Sequence, residues 1–212
     1  HLRRDFGPVT QVAASPSVLV VHPSVPAKSL PEFIELVRGR PGDITYSSAG
    51  IATPSSHAGE LSSHHARVKL LHVSYRSGAE AITAVLTAEV LTYFAPLASA
   101  LPYIRQGKLR PLAVTSSKRV AMLPDYPTVA EFGYPDYYAG NWYGLAVPAK
   151  TPTETIASIR GATLNALRMP ETSKALGDLG YVPVGDEPDE FAAHIQSEID
   201  KLARILKTMR SQ

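Results

Sequence analysis

The stretch from Ile44 to Leu61, ITYSSAGIATPSSHAGEL, holds the residues best suited to chemistry, and that chemistry is the holding of a small anion. A short β-like run at Ile44 and Tyr46 passes through Ser, Gly, Thr and Pro before a helical pattern begins. Such a loop delivers bare backbone N–H groups to a helix N-terminus, where four donors lack intrahelical partners and the macrodipole favours negative charge. Ser48, Gly50 and Thr53 offer hydroxyl and backbone donors without a cationic side chain, a set suited to a carboxylate held by neutral dipoles. The same residues would equally serve a plain strand-to-helix turn that needs Gly and Ser for its own dihedrals. A second turn, HVSYRSGAEA at 72–81, repeats the arrangement, with Ser77 and Gly78 ahead of a helix carrying Ala81, Ile82, Val85 and Leu86. Two such turns could converge on one site, because ligands in open α/β sheets bind beyond the carboxyl ends of the strands. Tyr75 could donate a phenolic hydrogen bond and Arg76 could neutralise an acid; in the alternative, Tyr75 closes a core edge and Arg76 is a solvated side chain.

Catalytic patterns are missing. G-x-S-x-G, G-x-x-x-x-G-K-[ST] and G-x-G-x-x-G do not occur, and in TSSK the place three before Lys118 is held by Thr115 rather than serine. The acid pairs Asp186 with Glu187 and Asp189 with Glu190 flank the last helix, where they complement its dipole. The expectation is therefore no enzyme and no cofactor. No metal site is expected either: His57, His64 and His65 share a helical stretch without the i, i+4 spacing that zinc helices use, and there is no Cys. His72 falls inside a strand and reads as a satisfied core or edge histidine, while His22 and His194 have no acidic or nucleophilic neighbour at a telling spacing. The 21 basic and 19 acidic residues nearly cancel and are scattered, which argues against nucleic acid as a partner. No apolar run is long enough to cross a bilayer, so the chain is not expected to be membrane-embedded. The start at His1 lacks a basic segment followed by an apolar one, so a mature or truncated product is expected.

The elements that must position these residues alternate along the chain. Strand-length runs at Val18–Val21, Ile44–Tyr46, Leu70–Tyr75, Val90–Phe94, Leu109–Val114 and Trp142–Val147 lie between helical patterns, which predicts α/β layering with largely parallel strands. Ser29 with Glu32, and Thr128 with Glu131 closed by Gly133, are capping-box patterns. Thr151, Pro152 and Glu154 predict a helix over about 152–168, and Phe191, Ile195, Ile199, Leu202, Leu206 and Met209 form one apolar stripe on a long terminal helix. The proline-rich stretch from Leu123 to Pro135 reads as a connection between lobes or layers.

In order and spacing, HVSYRSG, LRPLAVTSSKR, LPDYPTVAEFGYP and WYGLAVPAKTP resemble the Bug family, the extracytoplasmic solute receptors of tripartite tricarboxylate transporters. The resemblance runs from FGPVTQVAASPSVLVV through the final helix. It implies a periplasmic-binding-protein-like α/β fold of type II, with two lobes around a cleft and one lobe N-terminally incomplete. The implied division is a first-lobe remnant and crossover strand at 1–22, a ligand-binding lobe at 23–108, and a return to the first lobe with C-terminal helices at 109–212. The implied role is periplasmic capture of a small carboxylate for delivery to membrane permease subunits, with a two-lobed sensor or partner-presenting module as the alternative. The implied ligand-binding residues are Ser48, Gly50, Ala52, Thr53, Tyr75 and Arg76. Several positions depart from the family pattern: Ala52 stands for a Gly, Ser56 for a His, Ser74 for a Pro and Leu91 for an Asp. Ser77 and Gly78 invert the usual order, and Ala95 and Pro96 replace polar residues. An apolar Leu91, Ala95 and Pro96 imply an altered or less polar ligand, or lost binding.

Overall fold

The strand-length runs between capped helices pair into a sheet whose members lie far apart in sequence. The structure, a computed structural model, describes residues 2–51, 53–133 and 139–209. In chain order the elements are α1 (Leu2–Asp5), β1 (Phe6–Val21), α2 (Leu30–Gly39), β2 (Thr45–Ser48), α3 (Pro54–Ala66), β3 (Leu71–Ser74), α4 (Gly78–Leu86) and β4 (Thr92–Pro96). They continue with α5 (Leu97–Arg105), β5 (Arg110–Val114), a 3-10 turn at Val129–Phe132, β6 (Gly140–Pro148), α6 (Thr153–Arg168), α7 (Pro170–Asp178), β7 (Val182–Pro183) and α8 (Pro188–Met209). Two compact units result: one from His1–Ala14 with Trp142–Gln212, the other from Ser15–Asn141. Their boundaries fall at 14/15 and 141/142, where the sequence reading set its divisions at 22/23 and 108/109.

In the second unit the strand order is β3-β2-β4-β1-β5. β2 runs parallel to β3 and β4, as alternating strands and helices predict, but β1 runs antiparallel to both of its neighbours, β4 and β5. The expectation of largely parallel strands is corrected here to a mixed sheet. Val18–Val21 is buried on both faces, and a continuous apolar run reads the same in either direction. Alternate side chains feed two cores. Val18, Val20, Tyr93 and Ala95 pack with Ala81 and Val85 of α4 and Leu97 of α5. Leu19, Val21, Phe94 and Tyr46 pack with Phe33 and Val37 of α2 and Ala58 of α3.

The caps expected at Ser29 and Thr128 form, and Ser77 adds another. Ser29 and Ser77 accept from the N–H groups of Glu32 and Glu80, and Thr128 with Glu131 makes a reciprocal capping box closed by Gly133 at φ 91°. Arg119 Nη2 lies 2.7 Å from Glu131 Oε2 and, with the Thr128 N–H, pulls that carboxyl down to about 2. The described part of the proline-rich stretch belongs to the second unit, and Tyr134 and Pro135 lie outside the described residues. Thr151 does not cap α6: the helix starts at Thr153 after Pro152, without a side-chain cap bond.

In the first unit β6 and β7 pair with β1, and Ala13 and Ala14 face Pro183 and Val182. Asp186 fixes this arrangement by accepting from Gln11 N at 2.6 Å and Thr10 Oγ1 at 3.1 Å. Phe191 of α8 is buried over Gly144, where a Cβ would collide with its ring, and it meets Trp142 edge-on. Further along the predicted stripe Ile199 is exposed, and the side chains of Leu202, Leu206 and Met209 lie outside the described residues. Helices α6 and α7 bury no residue, and Tyr143, Leu145, Leu179, Val182 and Val184 are exposed.

In the second unit Gly59 of α3 packs directly against the Tyr46 ring, with no room for a Cβ. Gly59→Ala is expected to lower unfolding stability by about 1–3 kcal/mol through overpacking, read as a lower urea midpoint at unchanged slope.

Candidate functional site

Parallel pairing of β2 with β3 sets Ser48 opposite Ser74, so both strands end at one edge and both turns begin there. The Tyr75 N–H donates to Ser48 O at 3.0 Å, and the Gly50 Cβ position lies 3.7 Å from Tyr75 O. Gly50 holds φ 124°, a conformation that L side chains rarely adopt. The turns lead into α3 and α4, whose N-termini are joined by the buried Tyr93. Its hydroxyl hydrogen-bonds Ser55 and lies 3.3 Å from the Cβ position of Gly78, and burial pushes the phenol pKa up.

The hydroxyls singled out in the sequence are spent on building these turns. Ser48 Oγ accepts from Gly50 N at 3.1 Å and lies 2.7 Å from His72 Nε2 and 3.2 Å from Gly50 O. Thr53 is the N-cap of α3: its Oγ1 accepts from Ser56 N, donates to Gly50 O at 2.7 Å and meets Ser55 Oγ at 3.0 Å. Ser55 Oγ also accepts from Ala49 N at 3.1 Å. Tyr75 donates to Glu89 Oε1 at 3.0 Å, and burial followed by that carboxylate raises its pKa. Arg76 N donates to Glu80 Oε2 at 3.2 Å, while the exposed guanidinium forms no ion pair among the described residues. Ala52 lies outside the described residues.

What remains unsatisfied is backbone. The N–H groups of Ile51 and Ser55 at α3, and of Ser77, Gly78 and Ala79 at α4, find no acceptor among the described residues. They lie at or just before the N-termini of α3 and α4, where helix dipoles favour negative charge, and Arg76 directly precedes the Ser77 cap of α4.

Sequence reasoning passed over Tyr93, Ser55 and the surroundings of His72. The His72 ring stacks on Tyr46 at 4.7 Å and 15°, and the Tyr46 hydroxyl donates to Glu60 Oε1 at 2.8 Å. Burial holds the His72 pKa below its ordinary value, with Glu60 acting in the opposite sense. The β2–β3 register that sets Tyr46 beside His72 is the one signal that would have found the pair, and spacing alone does not reveal register. In the first unit, a cavity of about 400 Å³ lined by Phe6, Trp142, Gly144, Phe191 and Ile195 has apolar walls without a charged group, so it does not suit a carboxylate. Among the described residues no group of His, Asp or Glu is arranged to hold a metal ion, and no helix is long and apolar enough to cross a membrane.

Comparison with known proteins places these features in a family. Residues 1–210 match the family described as "TctC: Tripartite tricarboxylate transporter family receptor". The chain is 28% identical over 203 residues to Protein BugT of Bordetella pertussis, covering 96% of this chain and 62% of that one. It superposes on Rhodopseudomonas palustris Rpa4515 with adipate at TM-score 0.87 and 29% identity, covering 97% of this chain and 69% of the other. It likewise superposes on MatC (Rpa3494) from Rhodopseudomonas palustris with bound malate at TM-score 0.79 and 28% identity, covering 93% and 68%. The chain spans about three-fifths of the length of the curated relatives it matches.

Thr53 ties the cap to the loop through its bonds to Gly50 O and Ser55. Thr53→Ala is expected to cost about 1 kcal/mol of stability, within a range of roughly 0.5–2, measured by chemical denaturation.

Proposed function

The chain belongs to the TctC family of tripartite tricarboxylate transporter receptors, and on that premise we propose that it is a periplasmic receptor that captures a small carboxylate by binding, without turnover. The implied partners are the membrane permease subunits of such a transporter. The observation that carries this reading is the set of unpaired amides at Ile51, Ser55, Ser77, Gly78 and Ala79. In this reading a ligand carboxylate accepts from these amides, and Arg76 supplies long-range attraction. Ser48, Thr53 and Tyr75 hold the two turns in place, and Gly50, without a side chain, keeps the loop small enough for the backbone to reach the ligand. The adipate and malate held by the two structural neighbours make dicarboxylates the first class to test.

A ligand that binds only the folded state stabilises it by RT ln(1 + [L]/Kd), about 2.7 kcal/mol at a hundredfold excess over Kd. A thermal-shift panel of mono-, di- and tricarboxylates is expected to give a clear upward shift with a dicarboxylate, and a cooperative melt that no acid moves would defeat the reading. Ala79→Pro removes one amide donor in the first turn of α4, where proline is tolerated. A hydrogen bond to a charged group contributes about 1.5–3 kcal/mol, so this variant is expected to bind the same acid about tenfold to a hundredfold more weakly by calorimetry, with little change in its ligand-free melt.

A further inference from the structure

We propose that His72 is a positioning residue of this carboxylate site and that it couples ligand capture to proton uptake, an inference that rests on the carboxylate-binding reading above. Its imidazole lies one hydrogen bond away from the loop: Nε2 is 2.7 Å from Ser48 Oγ, which in turn accepts from Gly50 N at 3.1 Å. Stacking on Tyr46 fixes the ring plane.

The pair is satisfied in both protonation states. With neutral His72, the Ser48 hydroxyl can donate to Nε2. With the imidazolium, Nε2 donates to Ser48 Oγ and the hydroxyl proton turns to Gly50 O, 3.2 Å away. A proton therefore adds charge beside the loop without dismantling the turn. Of the elements packed on His72, β2 presents Tyr46, whose hydroxyl is held by Glu60. Helix α3 presents Glu60, whose charge favours the imidazolium, and also carries His57, His64 and His65. Burial outweighs Glu60 and keeps the ring neutral near pH 7.

A carboxylate at the N-terminus of α3 favours the charged ring, so the His72 pKa with ligand bound lies above that of the free protein. The added affinity is then fully present below the free-state pKa and is lost as pH rises through the bound-state pKa. The test is calorimetric titration of adipate at pH 5.5, 6.5 and 8 into the chain and into His72→Gln, with NMR titration of the His72 imidazole with and without adipate. The expected result is about three- to tenfold tighter binding at pH 5.5 than at pH 8, a nearly flat profile in His72→Gln, and a His72 pKa raised by adipate. A slope that survives in His72→Gln, or a wild-type His72 pKa that saturating adipate leaves unmoved, overturns the coupling while leaving carboxylate binding intact. Absence of binding by every carboxylate at every pH removes the receptor reading and the coupling together.

Discussion

The site depends on one pairing, the parallel ladder between β2 and β3 that ends at the 3.0 Å bond from Tyr75 N to Ser48 O. Parallel strands leave the sheet at the same edge, so whatever follows each of them starts at the same level. Here each is followed within a few residues by a capped helix, and two positive dipole ends are thereby set side by side. Tyr93, from the next strand across, reaches Ser55 of one helix and the neighbourhood of Gly78 of the other. An antiparallel β2–β3 pair would have sent the helices to opposite edges, and no choice of loop residues could have restored the site.

Polar groups in this corner divide into two kinds. Hydroxyls of Ser48, Thr53, Ser55 and Ser77 close short local bonds that would otherwise be left to water, which makes the turns rigid. Amides of the first helical turns cannot be satisfied by their own helix, so they stay available. Rigid turns with open amides suit an anion that arrives and leaves, because the dipoles are already oriented and little reorganisation is needed on binding. A buried cation in the same place would carry a desolvation penalty whenever the site was empty. Arg76 avoids that penalty by remaining exposed.

Local signals were legible in the sequence and long-range ones were not. Ser29 and Thr128 announced their caps, and Gly50 its turn, because capping and positive-φ chemistry act within four residues. The direction of β1 was hidden, since Val18–Val21 is apolar throughout and carries no period. Thr151 shows the limit of a cap pattern: Pro152 entered the cap position instead, and no side-chain bond formed. The fit of Gly59 under Tyr46, and the partnership of His72 with Ser48, join residues 13 and 24 apart through strand register and helix packing, which spacing does not encode. The sequence offered the hydroxyls of these turns to a ligand, whereas in the structure they bond within the turns themselves.

A serine oxygen 2.7 Å from a histidine nitrogen has the look of a nucleophile and its base, and the surroundings decide against that role. Ser48 is fully buried, so its oxygen has no path to an acyl carbon. Its oxygen also accepts the Gly50 N–H, which draws electron density away from the position of attack. No carboxylate orients the far nitrogen of His72 among the described residues, because Glu60 is committed to the Tyr46 hydroxyl and Glu89 to Tyr75. A hydroxyl fixed by backbone on one side and by imidazole on the other is a brace. It holds Gly50 at its positive φ, and through Gly50 it sets the amides on which an anion would rest.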